Sequence, residues 1–358
     1  MRRIILISAA VVIALVVAGG LWFWNEMQKP LYAPGMVREG QNLRSPLDPP
    51  VQPTSGDFWQ VESDVRLHYL ASGKGTPVLV VHGGPGIPFT APVPGLERLN
   101  DSFRFYYYDQ RGCGLSTRPI DRFASSNTYE NMQALDRTLG LGAQIADIER
   151  IRRILGKEQL ILVGHSFGGF LASLYAAEFP DRVRALVLVA PAELLLMPPE
   201  SGGLFEQVKA ELPIEARGEY DAFTKQYLDF GSLFGKSDAD LAALNVRFAD
   251  YYGVAARNRG FAVSGDLDPS LFGGWMGHAM YLSMGMKHDY REPLRSVRAP
   301  ALVLHGSQDL QTEAASKMYA SLLPNARFQL IPGAGHFSFA DQPDLFSNAV
   351  GEFLASLQ

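Results

Sequence analysis

Apolar positions along this chain fall mainly into short continuous runs separated by polar and glycine-rich stretches. Val78 to Val81, Phe103 to Tyr108, Leu160 to Val163, Leu186 to Val189, Ala301 to Gly306 and Phe328 to Ile331 are each too short for a helix. They lack the alternation of a half-exposed strand. Such runs predict strands buried on both faces, as in a parallel sheet. Phe58 to Glu62 and Val65 to Ala71 do alternate, around a turn at Ser63-Asp64, and predict an antiparallel hairpin at the sheet edge. Between the strands the period changes. Leu141, Ile145, Ile148, Ile151 and Leu155 recur at helical spacing, predicting an amphipathic helix over 141–155 packed on the sheet, and Phe170 to Phe179 predicts another. Strand and helix in alternation give an α/β fold with a mostly parallel central sheet and helices on both faces. The alternation stops after Pro191 and resumes near Pro300. The core is therefore assigned to 57–190 and 298–358, with 191–297 as an inserted helical cap rich in aromatic residues.

The amino-terminal pattern differs from all of this. Ile4 to Trp24 is 21 residues without a charge, enough at about 1.5 Å per residue to cross a bilayer core of about 30 Å. Residues 1–24 are expected to form a transmembrane helix, or else a signal segment that is cleaved to give a secreted protein. Arg2 and Arg3 precede the run, which favours a cytoplasmic amino terminus and a catalytic domain outside the cytoplasm, periplasmic or extracellular. The lipid bilayer is thus an expected partner. Asn25 to Gly56, with Pro46, Pro49, Pro50 and Pro53, reads as a Pro-rich linker holding the domain off the lipid.

Charge and cysteine content remove several function classes. The chain has 32 basic and 37 acidic residues, net −5, and no basic run beyond its first residues, so nucleic acid is not an expected partner. Glu193 to Arg295 holds 15 acidic and 10 basic residues, which places the surplus acid in the cap. Cys113 is the only cysteine and cannot form an intramolecular disulfide. His68, His278, His288 and His305 show no metal-ligand spacing, and no phosphate-cradling or dinucleotide pattern occurs. No cofactor or metal is expected.

Candidate chemistry starts at Gly164-His165-Ser166-Phe167-Gly168, directly after a buried strand and directly before a helix. A serine on so sharp a strand-to-helix turn is backbone-strained, and only small residues two before and two after it avoid a clash. Ser166 is the candidate nucleophile. Asp309 follows the carboxyl end of the strand Ala301 to Gly306, where parallel sheets deliver functional groups, and His336 sits in the glycine-rich turn after Phe328 to Ile331. A serine hydroxyl needs a neighbouring imidazole to take its proton, and a carboxylate fixes that imidazole's tautomer. The expected roles are attack by Ser166, proton shuttling by His336 and orientation by Asp309. The oxyanion that forms needs donors aimed at it in advance. The backbone N–H of Phe167 is one, and the loop His82-Gly83-Gly84-Pro85-Gly86 supplies the other, with Gly84 first and Gly83 as the alternative.

His82-Gly83-Gly84-Pro85-Gly86, Asp109-Gln110-Arg111-Gly112-Cys113-Gly114-Leu115-Ser116 and Ala146-Asp147-Ile148-Glu149-Arg150 together resemble the proline iminopeptidase (prolyl aminopeptidase) branch of the α/β-hydrolases. The resemblance covers roughly Phe58 to Ala190 and Pro300 onward. It implies an α/β-hydrolase fold and serine hydrolysis without a cofactor, with a short peptide or small molecule as substrate and release of an amino-terminal proline as the usual reaction. It also implies that cap carboxylates bind the free α-amino group; Glu193 and Glu200 lie close to the cap entrance, but no cap residue matches a motif of that branch closely enough to be assigned this role. Two departures stand out. The elbow is Gly-His-Ser-Phe-Gly, a form shared with esterases, where that branch usually has Gly-Gly-Ser-Trp-Gly, and Phe123 to Gly140 is long for the corresponding connection. The Asp109 to Ser116 loop reads as a turn locked by an Arg–Asp pair, with Arg111 structural. His82 and His165 read as local hydrogen-bonding groups. The expected activity is a proline-iminopeptidase-like aminopeptidase acting through an acyl-enzyme. A carboxylesterase with the same triad and a non-catalytic binding protein on a hydrolase scaffold are the alternatives.

Overall fold

In the computed structural model, which describes residues 25, 28–261 and 268–357, five of the six apolar runs become inner strands of one sheet, while Phe328 to Ile331, expected to be buried on both faces, becomes its mostly exposed edge strand because only one neighbour pairs with it. Its strands are β1 (Phe58–Glu62), β2 (Val65–Gly73), β3 (Thr76–Val81), β4 (Phe103–Tyr108), β5 (Leu160–His165) and β6 (Val183–Val189), followed after the cap by β9 (Ala301–Gly306) and β10 (Ala326–Ile331). A short antiparallel ribbon in the cap, β7 (Leu196–Met197) with β8 (His288–Asp289), stands apart from it. The order across the sheet is β1-β2-β4-β3-β5-β6-β9-β10. β1 pairs antiparallel with β2 and β2 with β4, while the pairs from β4 to β10 are parallel. β5 lies at the middle, buried along its whole length, so the turn that follows it is held on both sides.

One apolar layer packs the helices Leu141–Ile154 and Phe167–Glu178 on one face of the sheet, and another packs Pro343–Ala355 on the other. A third cluster lies in the cap, between the helices Gly203–Glu211, Ile214–Tyr227, Asp238–Asn258 and Trp275–Met284. The helix Thr128–Leu139 fills the long connection between 123 and 140 and packs against this cap cluster through Leu135 and Leu139.

Two expectations need correction. Asn25 to Gly56 does not stand off as a spacer. Tyr32 and Val37 are buried in the main core, and Glu178 gathers the Tyr32 hydroxyl at 2.9 Å with the Gly35 and Arg38 backbone N–H groups at 2.6 Å each. The same segment covers the polar face of Leu141–Ile154, where Arg150 donates to the carbonyls of Ser45 and Pro46 at 2.8 and 3.1 Å. Scattered apolar residues can each bury in a loop without any period, which is why the pattern read as a linker.

The second correction concerns the membrane. Among the described residues no helix is long and apolar enough to cross one. The longest, Asp238–Asn258 at 21 residues, carries Asp238, Asp240, Arg247, Asp250 and Arg257, charges that a hydrocarbon core does not accept unpaired. The transmembrane helix expected before the α/β fold is therefore not part of the described architecture. The bilayer partner and the single-pass, extracytoplasmic location that rested on it are withdrawn. Ile4 to Trp24 lies outside the described residues.

Candidate active site

At the carboxyl end of β5 the chain turns into the helix Phe167–Glu178 through Ser166, whose backbone sits at φ 55°, ψ −122°. A non-glycine residue in the left-handed region is uncommon and costs of order 1–3 kcal/mol, so the surroundings must enforce it. They do so by contact. A Cβ on Gly168 would lie 2.1 Å from the Val81 carbonyl oxygen, and one on Gly164 would lie 2.5 Å from that of Gly168. The helix can start this close to β3 and β5 only with glycines at those two places.

Asp309, just past β9, is buried and accepts from His336, on the turn after β10, with Nδ1 and Oδ2 2.8 Å apart. Its other oxygen accepts the Gln311 backbone N–H at 2.9 Å. Burial opposes ionisation of Asp309, but the charge and hydrogen bond of His336, with help from His305 and the Gln311 N–H, hold its pKa below the usual carboxylate value. With Nδ1 engaged by the acid, Nε2 is the ring nitrogen left for a substrate or nucleophile. Ser166 and His336 line the same cavity, of about 300 Å³. Gly83 and Gly84 form part of its floor, and its walls include Phe89, Leu204, Phe248, Tyr252, Phe337 and Phe339. The structure thus gathers Ser166, His336, Asp309, Phe167 and the Gly83-Gly84 loop at one sheet edge.

Of the two glycines, Gly83 is the nearer to the elbow. A Cβ there would lie 2.8 Å from Ser166 Cβ and 3.3 Å from the Phe167 nitrogen, whereas one on Gly84 would meet Gly86 and Ile87 of its own loop. His82 fixes this loop. Its Nδ1–H donates to the Gly83 carbonyl at 3.0 Å while Nε2 accepts the Gln110 N–H at 3.1 Å, and burial keeps the ring neutral by lowering its pKa. The Gln110 side chain returns a bond to the His82 carbonyl at 2.8 Å.

The Arg–Asp pair expected inside the Asp109 to Ser116 loop does not form. Asp109 instead accepts from His68 Nδ1 at 3.0 Å and from the Leu115 N–H at 2.8 Å. Arg111 is fully buried and reaches away from the cavity, donating to both oxygens of Asp147 at 2.6 and 2.5 Å, to Glu62 at 2.8 Å and to the Thr138 carbonyl at 3.1 Å. Arg150 joins the same two carboxylates at 3.1 Å each. The Ala146-Asp147-Ile148-Glu149-Arg150 motif therefore supplies one of the two counter-charges for Arg111, Asp147, while Glu62 of β1 supplies the other.

Glu193 and Glu200 are not in the Ser166 cavity. Both border a separate small recess with Tyr319 and Pro199; Glu193 accepts from the Ser201 hydroxyl, and Glu200 lies 3.8 Å from Arg291. Pattern reading also missed residues whose part shows only in three dimensions. Gln311 ties the acid loop to the cap entrance, donating to the Ala190 carbonyl at 3.2 Å and accepting the Glu193 N–H at 3.2 Å. Arg118 latches the cap through Asp238 at 2.8 Å and the Phe272 carbonyl at 2.9 Å. No motif marks either one.

Comparison with known proteins places this geometry in context. The family described as alpha/beta hydrolase fold matches residues 76–343. The proline iminopeptidase of Heyndrickxia coagulans is 25% identical over 307 residues, 80% of this chain and 93% of that one. That of Neisseria meningitidis serogroup B is 28% identical over 324 residues, 86% and 98% of the two chains. Among solved structures, an esterase from Exiguobacterium antarcticum superposes with a TM-score of 0.55 at 20% identity, over 84% of this chain and 100% of that one. A proline iminopeptidase from Mycobacterium smegmatis superposes with a TM-score of 0.53 at 20% identity, over 82% and 96%. At these identities the structural likenesses speak for the fold alone.

Proposed function

The chain belongs to the alpha/beta hydrolase fold family, and from that premise we propose that it is a serine hydrolase of the proline-iminopeptidase kind, cleaving a small amide through an acyl-enzyme. The observation that carries this reading is the shared cavity: Ser166 and an Asp309-bound His336 line one space, with the Gly83-Gly84 loop beside them. In the proposed reaction the Ser166 hydroxyl attacks the carbonyl carbon, and His336 Nε2 takes the hydroxyl proton and passes it to the leaving amine. Water then attacks the acyl-serine, giving its proton to the same nitrogen, and the acid departs as Ser166 is restored. The N–H of Phe167 and one from the Gly83-Gly84 loop stabilise the oxyanion of both tetrahedral intermediates. Curated relatives named proline iminopeptidase over most of the chain support the amide substrate.

A carboxylesterase is the second reading, favoured by the cavity walls. The aromatic and aliphatic side chains that surround Ser166 suit an uncharged acyl group, and no carboxylate is among the described lining residues. Turnover of L-proline p-nitroanilide against p-nitrophenyl butyrate separates the two. Amide turnover lost in Ser166→Ala supports the first, and ester turnover with no amide turnover selects the second. A folded protein whose Ser166 resists a fluorophosphonate probe would overturn both in favour of a binding protein.

A further inference from the structure

His165, next to Ser166 on the elbow, is a buried imidazole for which the proposed reaction has no use. Its Nε2 lies 3.0 Å from the backbone carbonyl oxygen of His336, across 171 positions of sequence. A carbonyl only accepts, so this nitrogen carries the proton and donates. Burial and the neighbouring His336 push the His165 pKa down to about 3, so the ring stays neutral and its tautomer is set by this one bond. The ring is also wedged among others. Its centroid is 4.7 Å from that of His336, 5.1 Å from Phe337 and from Phe339, and 6.2 Å from Phe89.

We propose that His165 is a positioning residue, whose hydrogen bond ties the turn bearing the base to the turn bearing the nucleophile and so sets their separation. The proposal rests on the reading of Ser166 as nucleophile and His336 as base. The logic is mechanical. β5 carries Ser166 and β10 carries His336, with β6 and β9 between them in the sheet, and the base rides on a glycine-rich turn outside the strand ladder. Asp309 holds the imidazole from behind through Nδ1, and the residues just before His336 are tied away from the nucleophile, the Ala334 carbonyl accepting the Gln308 N–H at 2.8 Å, the Gly333 N–H donating to the Ser307 hydroxyl at 2.9 Å and the Gly335 N–H to Asp341 at 2.9 Å; what remains is to tie the backbone of His336 itself to the nucleophile's side. The His165 donor does this. A misplacement of about 1 Å between reacting groups can cost about 10²-fold in rate.

The test compares His165→Gln with His165→Asn and His165→Phe in the full chain, by kcat, KM and the rate of fluorophosphonate labelling at Ser166. A glutamine amide nitrogen reaches about as far from the backbone as imidazole Nε2, an asparagine amide falls short, and phenylalanine keeps the ring without the donor. The expected result is labelling and kcat within a few-fold of wild type for the glutamine variant, and losses of about 10²-fold for the other two. Because His165 does not titrate in the working range, the glutamine variant keeps the wild-type pH profile. Equal losses in the glutamine and asparagine variants, or none in either, overturn the proposal, and that pair decides the matter even if the phenylalanine variant fails to fold. Ser166→Ala separates this failure from that of the underlying reading: undiminished turnover there removes the nucleophile assignment itself.

Discussion

Asp309→Asn is the sharpest probe of the proposed chemistry, because the structure dictates which way the new amide must face. One carboxylate oxygen of Asp309 accepts the Gln311 N–H at 2.9 Å and the other accepts from His336 Nδ1 at 2.8 Å. An asparagine has one acceptor and one donor for these two places. If its NH₂ faced the Gln311 N–H, two donors would oppose each other with no way to relieve the conflict, since a backbone amide cannot give up its hydrogen. If it faces His336, the imidazole relieves the conflict by moving its proton to Nε2. The second arrangement is the one expected, and it leaves Nε2 without the lone pair that must accept the Ser166 proton. In another serine hydrolase a substitution of this kind lowers kcat about 10⁴-fold, equivalent to about 5.5 kcal/mol at 1.36 kcal/mol per factor of ten. Asp309 is not among the residues that line the cavity, so KM should change little. Steady-state hydrolysis of whichever chromogenic substrate the wild type turns over, with circular dichroism to confirm folding, measures both constants. A folded Asp309→Asn protein with kcat within tenfold of wild type would refute the tautomer argument, as would a variant impaired in KM alone.

Two further outcomes follow from the buried charges. Arg111→Met should lower the stability by about 3 kcal/mol, because Asp147 stays buried with only Arg150 beside it and Glu62 with Arg150 and the half-buried Arg44; an unchanged denaturation midpoint in urea would show that the network contributes nothing net. For His68, the hydrogen bond to Asp109, opposed by burial and aided by the charges of Asp109 and Asp57, raises the pKa above its ordinary value. Its contribution to stability is then complete below about pH 6.5, the unfolded value, and is lost as pH rises through the higher folded value. The Tm difference between wild type and His68→Gln should shrink from pH 5.5 to pH 8, and a difference independent of pH would contradict the assignment.

Much of the site could be read from the sequence because its signals are local. The glycines at 164 and 168 are demanded by contacts within a few ångströms of the elbow, the strand that delivers Asp309 is a short, fully buried apolar run, and a glycine-rich turn marks the place of His336. What escaped is what depends on distant partners. Gln311 looks like any polar loop residue until the fold sets it between Ala190 and Glu193, and the counter-ions of Arg111 lie 36 and 49 positions away. The acidic cap misled for a related reason. Charge counted along a segment says nothing about which carboxylate faces inward, and the two nearest the cap entrance border a recess away from Ser166. The Pro-rich stretch before β1 misled by composition, since its few apolar side chains bury one by one.

That stretch also acts as a clasp. The backbone N–H groups of Leu31 and Tyr32 reach the Ser283 carbonyl at 2.8 and 3.2 Å, the Tyr32 carbonyl accepts the Tyr290 hydroxyl at 2.9 Å, and the Tyr32 hydroxyl holds Glu178 on the helix that starts at Ser166. Cap and core are thereby buckled together by residues that do not line the Ser166 cavity. Trimming the protein past Tyr32 would remove that buckle and let the two halves breathe, so a version shortened to that point is expected to keep every proposed reacting group and still work poorly.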